Sequence, residues 1–229
     1  MYDIVFISYK EPNAEKNWEN LSKRFYWAKR IHRVRGIHNA HIAAARKCFT
    51  NMFWVVDGDA EILESFDFSY TTDQTKFVHV WRSRNPVNDL EYGYGGVKLL
   101  PRLATINMDT SKPDMTTSIS KHFKPMPEVS NITAFNTDPY STWRSAFREC
   151  CKLSSKVIDR QKTDETEERL LAWKIKGIDR PFGQYALDGA RHGEEFGKFN
   201  QGNLTELAKI NDFGWLKQYF ERMYDGRTG

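Results

Sequence analysis

The chain has 229 residues, of which 14% are aromatic and 28% charged, and a formal net charge of +4. That length supports a sizeable core and that aromatic content excludes a disordered chain, while the charge permits an anionic partner without requiring one. Three cysteines, two of them adjacent (Cys150 and Cys151), exclude a zinc pattern and a disulfide framework, and no apolar run reaches membrane-spanning length. With no signal peptide expected at the N-terminus, the compartment these features imply is the cytoplasm.

Ile4 to Ile7 is a β-rich run that empties into the polar loop Ser8-Tyr9-Lys10-Glu11-Pro12-Asn13. Many nucleotide-binding α/β domains begin this way, so Ser8 and Tyr9 are donor-binding candidates. Trp18, Leu21, Phe25 and Ala28 fall at helical spacing and predict an amphipathic helix over 18–28. A short strand is expected over 31–34, among Lys29, Arg30, Arg33 and Arg35, a cluster of cations suited to a diphosphate or to solvent. An alanine-rich helix follows over 38–49, with Asn39 as its expected cap.

Phe53-Trp54-Val55-Val56 reads as a strand buried on both faces, and it stops at Asp57-Gly58-Asp59. Such a strand delivers two carboxylates to the carboxyl edge of a sheet, where open α/β folds bind ligands. Carboxylate oxygens suit magnesium or manganese, so Asp57 and Asp59 are metal candidates, and Gly58 leaves room for a phosphate. An ordinary Asp-Gly turn is the plain alternative. Strand and helix have alternated to this point, which predicts a mostly parallel sheet flanked by helices.

Phe77 to Trp81 is a further strand, and Gly95-Gly96 permits close approach of a ligand to the backbone. These two glycines are candidates for a sugar-side wall, with Tyr92 and Tyr94 as stacking surfaces; a glycine turn between strands is the alternative. Residues 105–128, with Pro113, Pro125 and Pro127, are expected to form a surface excursion or lid. A strand is expected over 132–135 and a helix over 142–153. Thr163 to Gly177 reads as a helix with acidic Asp164 and Glu165 at its dipole-complementing start. Glu194 to Gly202 is expected to be a glycine-broken region, followed by two amphipathic helices divided near Asn211-Asp212.

The Ser-Tyr loop, the Arg-Gly-Ile-x-x-Ala helix and the strand-terminal Asp-x-Asp resemble the nucleotide-sugar half of a GT-A glycosyltransferase. More narrowly, Phe53–Phe68 with the stretch from Val78-His79-Val80-Trp81 through Gly95-Gly96-Val97-Lys98-Leu99 is similar to phage glycosyltransferases. Those belong to the group associated with oxygenases that hydroxylate DNA pyrimidines. The resemblance runs over residues 2–224 and implies one GT-A-like α/β domain with a helical C-terminal part, donor-binding over about 1–100 and acceptor-side over about 101–229. It implies transfer of a sugar from a nucleotide sugar, UDP-linked, to a hydroxymethylated pyrimidine of phage DNA in the host cytoplasm. It further implies that Ser8, Tyr9, Arg35, Asp57, Gly58, Gly95 and Gly96 hold the donor and that Asp57, Asp59 and His192 bind manganese or magnesium. Asp164 or Glu165 is then the general base of an inverting reaction. Two other readings stand beside it: a glycosyltransferase acting on a glycan, lipid or small molecule, and a non-catalytic DNA-binding protein on a transferase fold.

Overall fold

The strand β1 (Asp3–Ser8) carries Ile4, Val5 and Phe6 with no exposed surface, as expected of a strand covered on both faces. The computed structural model describes residues 1–92, 95–110, 115–156 and 163–225. These divide into two compact units, one of residues 1–85 and 91–134, the other of 86–90 and 135–229. Among them no helix is long and apolar enough to cross a membrane.

In the first unit β1 is followed by α1 (Ala14–Arg24), β2 (Lys29–His32), α2 (Ile37–Lys47) and β3 (Met52–Asp57). β1 pairs parallel with β2 and β3, with Val5 opposite Lys29 and Val55. Alternation along the pleat splits the buried run. Trp54 and Val56 join Ile4, Phe6 and Leu21 on the face that α1 covers, while Phe53 and Val55 join Val5, Ala44 and Ala45 on the face of α2. Removing a side chain of the size of Trp54, which has no exposed surface, costs about 3–5 kcal/mol. Gly36 precedes α2 at φ 89°, a left-handed turn that glycine takes without strain, and Asn39 sits inside the first turn with Nδ2 donating to the Arg35 carbonyl at 3.2 Å. The expected Asn39 cap is therefore corrected.

The remaining strands are β4 (Ala60–Ile62), β5 (Val78–Arg84), β6 (Glu91–Tyr92), β7 (Val97–Pro101) and, after the short helices α3 (Arg102–Ile106) and α4 (Met115–Ile119), β8 (Phe123–Thr133). The sheet order is β2-β1-β3-β7-β5-β8-β4, with β6 on β5. β7 runs antiparallel to both β3 and β5, β4 antiparallel to β8, and β5 parallel to β8. The sheet is thus mixed, which corrects the expectation of a mostly parallel one. Helical crossovers cease after β3, and strands that follow one another directly, as β5 and β6 do, reverse direction.

The expected lid over 105–128 is also corrected within the described residues, since Met115 and Ile119 are buried and Phe123 onward is strand. β8 carries Pro125 and Pro127 in a stretch where β4 does not reach, because β4 pairs only with Asn131–Thr133. Proline is tolerated at such a free strand side. Pro113, also placed in the lid, lies outside the described residues.

The second unit is helical: α5 (Pro139–Ser155), α6 (Thr163–Ile175), α7 (Gly183–Phe199), α8 (Leu204–Ala208), a 3₁₀ turn (Lys209–Asn211) and α9 (Phe213–Asp225). Asp138 caps α5, its carboxylate accepting from the Ser141 amide at 2.8 Å. Gly177, at φ 92°, lies just beyond the end of α6. The glycine-broken region expected over 194–202 is instead mostly the unbroken continuation of α7. Gly189, Gly193 and Gly197 recur every fourth residue on one face, and a Cβ there would strike the backbone carbonyls of Trp143, Phe147 and Cys151 of α5. Tertiary contact with α5 thus selects these glycines against their weak helix propensity.

Candidate active site

The carboxyl ends of β1, β2 and β3 lie side by side, and the polar loops that follow them build the site. Ser8 closes β1 with 2% of its surface exposed, its hydroxyl 2.9 Å from His32 Nδ1 and accepting from Arg30 Nε at 3.1 Å. Arg30 is itself held by both oxygens of Glu15, at 2.7 and 2.6 Å. Arg33 has φ 60°, an uncommon conformation for a side-chain-bearing residue, and its amide donates to the Ser8 carbonyl at 2.9 Å. An open cleft of about 560 Å³ follows, lined by Tyr9, Lys10, Glu11, Ala14, Glu15, His32 and Arg33. Tyr9 leaves 40% of its surface exposed, so the cleft presents an aromatic ring beside two cations.

Glu11 joins this cleft to the acidic turn after β3. Its carboxylate accepts from the Tyr9 amide at 2.7 Å and lies so close to Gly58 that a Cβ there would stand 2.7 Å from Oε2. Buried Asn17 on α1 donates to the Gly58 carbonyl at 3.0 Å, which fixes the turn. Burial, then the negative charges of Asp57 and Glu11, push the Asp59 carboxyl up to about 7. Three carboxylates are gathered here, and one buried cation answers them: Lys98 Nζ donates to both oxygens of Asp57 at 2.8 Å. Gly96 is tied to the same strand end, its carbonyl accepting from the Asp57 amide at 2.9 Å.

This donor chemistry bears on the expected divalent cation. Among the described residues no three histidine, cysteine or acidic side chains are grouped so as to hold a metal on their own. Asp59 and Glu11 fit the alternative in which two carboxylates share a cation with substrate phosphates. Asp57 fits less well, because Lys98 already engages both of its oxygens.

Ser8, Tyr9, Asp57, Gly58, Asp59 and Gly96 therefore meet at one sheet edge within the first unit. Gly95, at φ 74°, lies over the Lys98 stem, and the space beside Gly96 is filled by the Asn131 amide. Tyr92 is buried on β6 rather than open for stacking, and Tyr94 lies outside the described residues. Arg35 is exposed in the turn before α2, while Arg33 lines the cleft. Asp164 and Glu165 are exposed in the first turn of α6 in the second unit, where Glu165 pairs with Arg169 at 3.5 Å. His192 lies on α7 in that unit, its Nδ1 accepting from the Trp143 indole at 3.1 Å.

Sequence reasoning did not single out Lys10, Glu11, His32 and Lys98. A lysine within Val97-Lys98-Leu99-Leu100 was a visible signal, since a charge inside a buried strand demands a counter-charge. Its partner, 41 residues earlier in sequence, was not visible.

No family model matches the chain, and no curated protein matches it. Among solved structures it is similar to the crystal structure of a glycosyltransferase involved in the glycosylation of the major capsid of PBCV-1. The TM-score is 0.33 and the identity 15%, covering 60% of this chain and 82% of that one.

Proposed function

We propose that the protein transfers a glycosyl group from a nucleoside diphosphate sugar to an acceptor hydroxyl. The observation that carries this reading is the continuity, through Glu11, of the cleft holding Tyr9, Lys10, His32 and Arg33 with the carboxylates after β3. An aromatic ring and a histidine suit a nucleobase, two cations suit phosphates, and the carboxylates lie where a phosphate-bound cation would be met. A divalent cation there, held from Asp59 and Glu11, would neutralise charge on the departing diphosphate. The chain's own groups do the rest: Arg30 and His32 fix the Ser8 loop, Asn17 fixes the acidic turn, and Tyr9 covers the base.

The finer reading takes UDP as the carrier and a hydroxymethylated pyrimidine in DNA as the acceptor. It rests on the similarity of Phe53–Phe68 and Val78–Leu99 to phage glycosyltransferases. The proton of the acceptor hydroxyl is assigned to Asp164 or Glu165, as an inverting transfer requires. Mass spectrometry of hydroxymethylcytosine- and hydroxymethyluracil-containing DNA, after incubation with nucleotide sugars and manganese, tests it. The expected result is a mass increase of one sugar on the modified base. Donor hydrolysis or transfer to glycans with unmodified DNA would move the acceptor to another class, and no binding of any nucleotide sugar would overturn the transferase reading.

A further inference from the structure

Lys98 is the only charged residue of β7 and is 5% exposed. Its stem passes beneath Gly95, where an added Cβ would stand 3.2 Å from Cε and 4.0 Å from Val80 Cγ1. At its tip Nζ donates to Oδ1 and Oδ2 of Asp57, both at 2.8 Å. Its positive charge also reaches Asp59 and opposes the pull of the neighbouring carboxylates. Within range of its charge is His41, 2% exposed, with Nδ1 on the Ile37 carbonyl at 2.8 Å and Nε2 buried without a partner. Burial, and then the Lys98 charge, hold that ring neutral down to about 3, so His41 supplies no counter-charge. Asp57 is the carboxylate the lysine is built onto.

A second cation at Asp57 would stand within a few ångströms of an ammonium enclosed in the sheet. Repulsion at that range is strong wherever the dielectric is low. Withdrawing the ammonium would leave it buried and unpaired, which costs more than the pair itself is worth.

We propose that Lys98 is the resident counter-ion of Asp57 and withholds that carboxylate from divalent cations, leaving Asp59 and Glu11 to face the donor phosphates. The proposal rests on reading this edge as the donor-phosphate site, and it makes Lys98 and Asp57 positioning residues. In the alternative arrangement the lysine orients Asp57 as a metal ligand, which predicts the opposite response to its removal.

Manganese(II) titrations of the 229-residue chain, followed by the electron paramagnetic resonance signal of the free ion, separate the two. Lys98→Met should tighten manganese binding by about tenfold or more, because it removes a positive charge and frees a carboxylate. Adding Asp57→Asn to Lys98→Met removes the buried pair together and should return the affinity to within about twofold of the unaltered protein. Weaker or unchanged binding in Lys98→Met, including no binding at millimolar manganese, overturns the proposal, as does a tenfold loss in the double variant relative to the unaltered protein. Should Lys98→Met not fold, the double variant decides by itself. Failure of the transferase reading would show separately, as absence of nucleotide-sugar binding in the unaltered protein.

Discussion

The two ends of the parallel strands β1 and β3 treat a carboxylate in opposite ways. At the amino end, Asp3 accepts from Lys29 Nζ at 2.6 Å, from the amides of Phe49 and Thr50 at 2.7 and 3.0 Å, and from the Thr50 hydroxyl at 3.1 Å. Burial alone would raise its pKa, but those donors bring it down to about 2. At the carboxyl end, burial raises Asp59 and neighbouring Asp57 and Glu11 raise it further, to about 7. One end spends its polar groups on holding strands together. The other keeps three like charges close with a single buried lysine, paired to Asp57, to answer them, and clustered acids with a raised pKa in a cleft mark a candidate functional site.

Replacing each acid by its amide breaks this comparison most forcefully. Asp59→Asn should lower sugar transfer on the order of a hundredfold, measured in single turnovers, as for loss of other electrostatic contacts to a developing charge. The same change should raise stability at neutral pH. Because the folded-state pKa lies above the unfolded one, stability from Asp59 is fully present below about pH 4 and lost as pH rises through about 7. The stabilisation of Asp59→Asn should thus vanish in acid, and thermal melts at pH 4 and pH 8 check the sign.

Asp3→Asn should do the reverse. The fall from 3.8 to about 2 corresponds to stability on the order of 2–3 kcal/mol, present above about pH 4 and lost as pH falls through about 2. Urea unfolding at pH 7 should show that loss, while affinity for a nucleotide sugar stays unchanged. An effect of Asp3→Asn on donor affinity would erase the division of labour between the two ends.

A smaller effect is expected at His79, on β5 at the same end of the sheet as Asp3. It is fully buried with both ring nitrogens unpartnered, and burial, then Lys124, lowers its pKa. His79→Leu should stabilise the protein by about 1 kcal/mol at pH 7. The gain should grow below about pH 6, because a depressed folded-state pKa means stability is lost as pH falls through the unfolded value. Equal melting temperatures for both forms at pH 5 would contradict this.

The same contrast explains what was legible in the sequence. β1 and β3 announced themselves because Ile4-Val5-Phe6 and Phe53-Trp54-Val55-Val56 are too apolar to face water on either side, and the acidic pair marked where β3 must end. β7 and β8 were obscured because their directions depend on distant partners and β8 carries prolines that only a strand with a free side admits. The glycines of α7 suggested a broken region, since their reason lies on α5, more than forty residues earlier. At the site, Ser8, Tyr9, Asp57 and Asp59 were visible from strand ends. Lys98, His32 and Glu11 acquire their roles only when three loops meet.

Amide hydrogen exchange with and without a saturating nucleotide sugar tests the central claim most directly. Binding at the carboxyl edge predicts slower exchange in peptides covering Ser8–Glu11, His32–Arg33 and Asp57–Asp59, with no change around Phe49 and Thr50 at the opposite end. Protection confined to the Phe49–Thr50 end, or saturable binding that leaves all three carboxyl-edge segments unprotected, would contradict the account.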